Sequence, residues 1–123
     1  MKKILVAEDE QDILELLDFT LQHGGYDVIC VSNGRDVMET VEKEKPDLIL
    51  LDIRMPFLSG LEVCKLLKSD PKTKEIPVVF LSAKGQKSDI EEGFEVGAID
   101  YLLKPFSPDF LNKRIGEILE GVA

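Results

Sequence analysis

Apolar residues in this chain fall into two alternating kinds of run. Short continuous stretches stop abruptly at a polar residue: Ile4-Leu5-Val6-Ala7 before Glu8, Val28 to Val31 before Ser32, Leu48-Ile49-Leu50-Leu51 before Asp52, and Pro77-Val78-Val79-Phe80-Leu81 before Ser82. Ile99 to Leu103 is a further run, ending at Lys104-Pro105. Such runs fit strands buried on both faces, as in parallel sheets covered by helices. Pro77 is tolerated because it opens its strand.

Between these runs the spacing becomes helical. Ile13, Leu16, Leu17, Thr20 and Leu21 form one stripe before Gly24-Gly25, and glycine commonly follows a helix C-terminus. Ser32-Asn33-Gly34 makes a turn and a cap, and Val37, Met38 and Val41 mark a second helix ending before Pro46. Leu61, Val63, Leu66 and Leu67 mark a third, after Gly60 and before the break at Asp70-Pro71. Ser88 to Val96 predicts a weaker fourth helix anchored on Ile90 and Phe94. Gly93 lies inside it, at a cost of about 1 kcal/mol relative to alanine, and Gly97 ends it. Ser107-Pro108 caps the last helix, whose stripe is Leu111, Ile115, Ile118 and Val122.

Five strands alternating with five helices predict an α/β fold: a doubly wound, five-stranded parallel sheet in one domain over residues 1–123. The expected order is 2-1-3-4-5, taken from the flavodoxin-like (βα)5 template. In that order ligands sit beyond the carboxyl ends of strands one and three. Glu8-Asp9 and Asp52 stand there.

A formal net charge of −9 argues against direct contact with nucleic acid, which needs a basic surface, and against docking on anionic membranes. Cys30 and Cys64 are far apart, lie in apolar patterns and read as two small buried hydrophobes in a reducing compartment. The apolar run after Met1-Lys2-Lys3 is too short for a signal peptide, and no run reaches membrane-spanning length. The expected location is the cytoplasm. The single histidine, His23, reads as an exposed cation at a helix C-terminus.

Polar residues end four of the five strands: Glu8-Asp9, Asp52, Ser82 and Lys104. Each alone has an ordinary explanation as a solvated turn, a helix cap, a turn hydroxyl or a surface cation. In a parallel sheet, however, all four meet on one rim. Carboxylates brought that close repel one another and raise their own pKa values unless something neutralises them. Lys104 is one neutraliser, and a hard divalent cation such as Mg²⁺, held by oxygen ligands, is another.

Together, Ile4-Leu5-Val6-Ala7-Glu8-Asp9-Glu10, Asp52-Ile53-Arg54-Met55-Pro56 with Gly60, Leu81-Ser82-Ala83 and Asp100-Tyr101-Leu102-Leu103-Lys104-Pro105-Phe106 resemble the receiver domain of two-component response regulators. The resemblance covers essentially the whole chain. It implies a signalling domain rather than an enzyme, one that contributes to its own Mg²⁺-dependent phosphorylation and dephosphorylation. Asp52 would accept a phosphoryl group from the phosphohistidine of a sensor histidine kinase or phosphotransfer protein. Asp9, Asp52 and the backbone carbonyl of Arg54 would hold Mg²⁺, with Mn²⁺ as a substitute, and Glu8 would reach the metal directly or through water. Lys104 and Ser82 would bind the phosphoryl oxygens, and Pro105 would follow a cis peptide bond. Tyr101 is either a rotor that swings inward or a half-buried sheet aromatic. The weak fourth helix marks the helix 4–strand 5–helix 5 surface as the part that responds, with a phosphorylation-dependent dimer as one use of it. Glu8 replaces the commoner aspartate and Ser82 the frequent threonine. Arg54 and Lys84 occupy positions that tune phosphoryl lifetime in this family.

Other readings meet specific obstacles. An aspartyl-phosphate phosphatase or phosphotransferase of similar fold, such as a haloacid-dehalogenase-like enzyme, needs a second aspartate two residues after the nucleophile, where this chain has Arg54. A flavodoxin-like carrier needs a phosphate loop after strand one, where Glu8-Asp9-Glu10 would repel a flavin phosphate. A receiver that only binds partners would not need all four site groups. The chain stops at Ala123 after the last helical stripe, which leaves both a stand-alone relay and a receiver cut from a longer regulator open.

Overall fold

The computed structural model describes residues 1–55, 57–82, 87–104 and 106–121; the side chains of residues 82 and 87–89 lie outside that description. In chain order the elements are β1 (Lys3–Ala7), α1 (Gln11–His23), β2 (Asp27–Val31), α2 (Gly34–Glu44), β3 (Leu48–Asp52), α3 (Gly60–Ser69), β4 (Val78–Ser82), α4 (Lys87–Glu95), β5 (Asp100–Leu103) and α5 (Pro108–Leu119). All strands are parallel, in the order β2-β1-β3-β4-β5. Fold class and strand order are those predicted from the hydrophobic pattern and its template.

Successive strand residues point to opposite faces, so the apolar runs feed two cores. On one face Ile4, Val6, Leu48, Leu50, Val79, Leu81 and Leu102 pack against Leu14, Leu17 and Leu21 of α1 and Leu111, Ile115 and Ile118 of α5. On the other, Leu5, Ala7, Ile49, Leu51, Val78 and Phe80 pack against Val37 and Val41 of α2 and Val63, Cys64 and Leu67 of α3. Three helices start on capping side chains. Asn33 accepts from the Asp36 amide, Ser107 from the Phe110 amide, and Ser59 forms a capping box with Glu62. Among the described residues no helix is long and apolar enough to cross a membrane.

Several expectations need correction. Leu16 and Leu66, assigned to the inward stripes, are 54% and 46% exposed. Leu14 and Cys64 are buried in their place. Leu16 lies about 200° around the helix from Leu14, at 3.6 residues per turn. Phe94, expected to anchor α4, is also half-exposed. Gly93 does the docking instead: a Cβ there would lie 2.9 Å from the Phe80 ring. The interior glycine therefore lets α4 approach the sheet closely. Cys64 is buried as expected, but Cys30 is exposed, because β2 is an edge strand. His23 is exposed as expected, and it stacks on Phe19 with ring centroids 6.0 Å apart.

Candidate functional site

Strand register builds the site. Ala7 pairs with Leu51, Asp52 with Leu81, and Ser82 with Leu103. The residues at or just past these strand ends are Glu8, Asp9, Asp52, Ser82 and Lys104, all on the carboxyl edge of the sheet. The Glu8 amide extends the ladder by donating to the Val31 carbonyl at 3.1 Å, and the Ile53 amide donates to Leu81 at 3.3 Å.

Four of the expected residues come together. Carboxylate oxygens of Glu8, Asp9 and Asp52 lie within 4.8 Å of one another. Glu8 is fully buried, Asp52 nearly so, and Asp9 is exposed. Lys104 pairs closely with Glu8, and its Nζ lies 3.5 Å from Asp52 Oδ2. The Arg54 amide donates to Asp52 Oδ1 at 3.4 Å, and the Asp9 amide to Glu8 Oε2 at 3.2 Å. Ser82 closes β4 on this edge, but its side chain lies outside the described residues, as do Pro105 and its peptide bond and Lys84. Tyr101 is half-buried against the α2–α3 face. It also borders a groove of about 410 Å³ with Leu103, Phe106 and Phe110.

The cluster is short of positive charge. Burial pushes the Glu8 carboxyl from 4.5 up to about 8; the neighbouring Asp52 acts in the same direction, and Lys104 opposes both. Burial alone would lower Lys104, but its hydrogen bond to Glu8 and the charges of Asp52 and Glu8 outweigh that and raise it. Among the described residues one ammonium thus faces three carboxyl groups. An oxygen-only donor set with surplus negative charge fits a hard divalent cation such as Mg²⁺.

The raised Glu8 carboxyl makes the metal-free fold pH-sensitive. Between about pH 5 and pH 8 the folded state binds more protons than the unfolded chain, so stability falls as pH rises through that window. Below it both states are protonated and nothing is gained. Urea unfolding in EDTA at successive pH values measures the slope. Glu8→Gln is expected to flatten it, and an unchanged slope in that variant would assign the effect to another group.

The loop after Asp52 is tightly seated. A Cβ on Gly60 would lie 2.2 Å from the Asp52 carbonyl oxygen and 3.0 Å from the Ile53 Cα, both backbone atoms. The Gly60 amide donates to the Ile53 carbonyl at 2.7 Å. Gly60→Ala is therefore expected to lower stability by about 1–3 kcal/mol through overpacking, read by denaturant unfolding. One further signal for this helix start is legible in the sequence: Ser59-Gly60-Leu61-Glu62 has capping-box spacing before an apolar run.

Residues 4–116 match the family described as the response regulator receiver domain. Over 118 residues the chain is 47% identical to the alkaline phosphatase synthesis transcriptional regulatory protein PhoP of Bacillus subtilis, an overlap of 96% of this chain and 48% of that protein. The chain thus spans about half the length of this curated relative. The chemotaxis response regulator CheY4 of Vibrio cholerae has a similar structure, with a TM-score of 0.90 and 31% identity over 96% of this chain and 98% of that one. The receiver domain of a sensor histidine kinase from Pseudomonas aeruginosa has a TM-score of 0.88 and 29% identity over 98% of both chains. Its structure holds a magnesium ion in the active-site cleft.

Proposed function

Because the chain belongs to the response regulator receiver domain family of two-component signalling, we propose that residues 1–123 form one receiver domain with Asp52 as its phosphoacceptor. The observation that carries this reading is the meeting of Glu8, Asp9, Asp52 and Lys104, from three separate strand ends, with the carboxylate oxygens within 4.8 Å. An Asp52 oxygen attacks phosphorus in the phosphohistidine of a sensor histidine kinase or phosphotransfer protein. A P–O bond forms, the P–N bond breaks and the imidazole leaves. A carboxylate is already ionised, so no general base is required. Catalysis is then positioning and charge neutralisation.

Asp9, Asp52 and the Arg54 carbonyl would hold Mg²⁺ or Mn²⁺, with Glu8 bound directly or through water. Bound there, the ion supplies positive charge to the transferring phosphoryl oxygens. Lys104 is within reach of the same oxygens once it exchanges its Glu8 contact for one to phosphate. Ser82 donates its hydroxyl to the arriving group, and Tyr101 turns inward behind it. The domain takes part in its own phosphorylation and dephosphorylation in this way, without being a free-standing enzyme.

Phe94, Leu103 and Phe110 are each about half exposed across α4, β5 and α5. Leu103 and Phe110 line the Tyr101 groove, a surface suited to an effector or to a phosphorylation-dependent dimer. We place the domain in the cytoplasm, and its net charge of −9 argues against direct contact with DNA or membrane.

The test is incubation with acetyl phosphate and Mg²⁺, followed by intact-mass measurement. A gain of one phosphoryl group that depends on the metal and maps to Asp52 supports the reading. No gain, or a gain mapped elsewhere, overturns it. Amide exchange in α4 that is identical before and after phosphorylation would remove the switch surface from the proposal.

A further inference from the structure

Phe57 adopts φ 72°, the left-handed region, without being glycine. For a bulky side chain this is a conformational outlier that its surroundings must hold in place. Burial does not hold it, because Phe57 is 70% exposed. The guanidinium of Arg35 does meet it, with Cζ 4.2 Å from the ring centroid. Arg35 stands in the first turn of α2, which the Asn33 cap fixes through the Asp36 amide at 2.9 Å. Its neighbour Gly34 is pressed on the same loop: a Cβ there would lie 2.1 Å from the Leu58 carbonyl oxygen.

The described residues of the loop after Asp52 are therefore pinned at several points. Met55 and Leu58 pack against the α2–α3 core, and Arg35 covers the strained residue between them. At its start the same loop presents the Arg54 amide to Asp52 Oδ1. We propose that Arg35 is a positioning residue for the metal and phosphoryl site, acting through Phe57 on the loop that carries Arg54. It touches no reacting group. Without it, Phe57 relaxes toward negative φ and carries Arg54 away from the geometry that serves the metal. The inference rests on the reading of Asp52 as a Mg²⁺-dependent phosphoacceptor.

The test is a Mg²⁺ titration of the melting temperature, repeated for the wild type, Arg35→Ala, Arg35→Lys, Phe57→Gly and the Arg35→Ala/Phe57→Gly pair. Arg35→Ala is expected to raise the Mg²⁺ concentration at half-maximal response roughly two- to fivefold, the range a surface cation–π contact can supply. Its melting temperature in EDTA should hardly move. Arg35→Lys should restore most of the response. In the Phe57→Gly background, where glycine takes the left-handed conformation freely, Arg35→Ala should be silent. Phosphoryl uptake from acetyl phosphate should slow by the same factor at low Mg²⁺ and recover at saturation. An unchanged half-point in Arg35→Ala, a fall only in the EDTA melting temperature, or an equal loss in the glycine background would each overturn the inference. A wild type that neither responds to Mg²⁺ nor takes up phosphate would bring down the Asp52 reading and this one with it. A wild type that does both, matched by Arg35→Ala, would bring down this one alone.

Discussion

Asp52→Asn is expected to abolish phosphoryl uptake and, in EDTA, to stabilise the fold by about 1 kcal/mol. The two effects have opposite sign and a common cause. Asp52 sits nearly buried among Glu8, Asp9 and a single lysine. Three carboxyl groups around one described ammonium cannot all ionise without repulsion, and burial removes the water that would screen it. An amide keeps the shape and removes one charge. It also leaves Glu8 with less reason to hold a proton, because Asp52 is one of the groups that raise its pKa. The nucleophilic oxygen pair is lost in the same exchange, so acetyl phosphate with Mg²⁺ should add no mass. Mg²⁺ should stabilise the wild type by binding only the folded state, and stabilise the variant less. Urea unfolding and intact mass on the same preparation check both halves. A variant that is less stable than the wild type in EDTA would mean the carboxylates do not repel as described.

The same cluster marks what the amino-acid order could reveal. Its members were legible because a continuous apolar run has a definite end, and parallel strands put equivalent ends on one edge. That logic, with the strand order taken from the flavodoxin-like template, placed Glu8, Asp9, Asp52, Ser82 and Lys104 on one rim before any side-chain geometry. It could not say that Glu8 would be fully buried and Asp9 exposed, since adjacent residues past a strand end differ only in which way the chain turns. Helix faces were legible only in part: Leu16 and Leu66 satisfy the amphipathic spacing as well as Leu14 and Cys64 do, and the sheet surface decides between them. Gly93 looked like a weakness because propensity treats a helix alone; the Phe80 ring beneath it gives the missing side chain a purpose. Phe57 and Arg35 left no trace in the pattern, because a left-handed backbone at a phenylalanine is imposed by contacts distant in sequence.

Lys104→Met is expected to cost the metal-free protein about 3 kcal/mol, near the lower end of the range for breaking a buried ion pair from one side. The methionine keeps the apolar stem and removes the only ammonium described at the cluster. Glu8 cannot be rehydrated where it stands, since its side chain is fully buried. Its remaining recourse is to take up a proton, which its raised pKa already favours, and this keeps the loss from the top of the range. The penalty should therefore be level up to about pH 8 and grow above it, where Glu8 ionises in the wild type but keeps its proton in the variant. A divalent cation supplies the charge that the lysine did. The Mg²⁺-dependent gain in stability should accordingly be larger in Lys104→Met than in the wild type, even though phosphoryl uptake is impaired. Urea unfolding with and without Mg²⁺, below and above the pH at which the wild-type Glu8 ionises, separates the two contributions. Equal Mg²⁺ increments in the two proteins would show that Lys104 and the cation do not neutralise the same carboxylates, and the chemistry assigned to this edge of the sheet would have to be divided between two places.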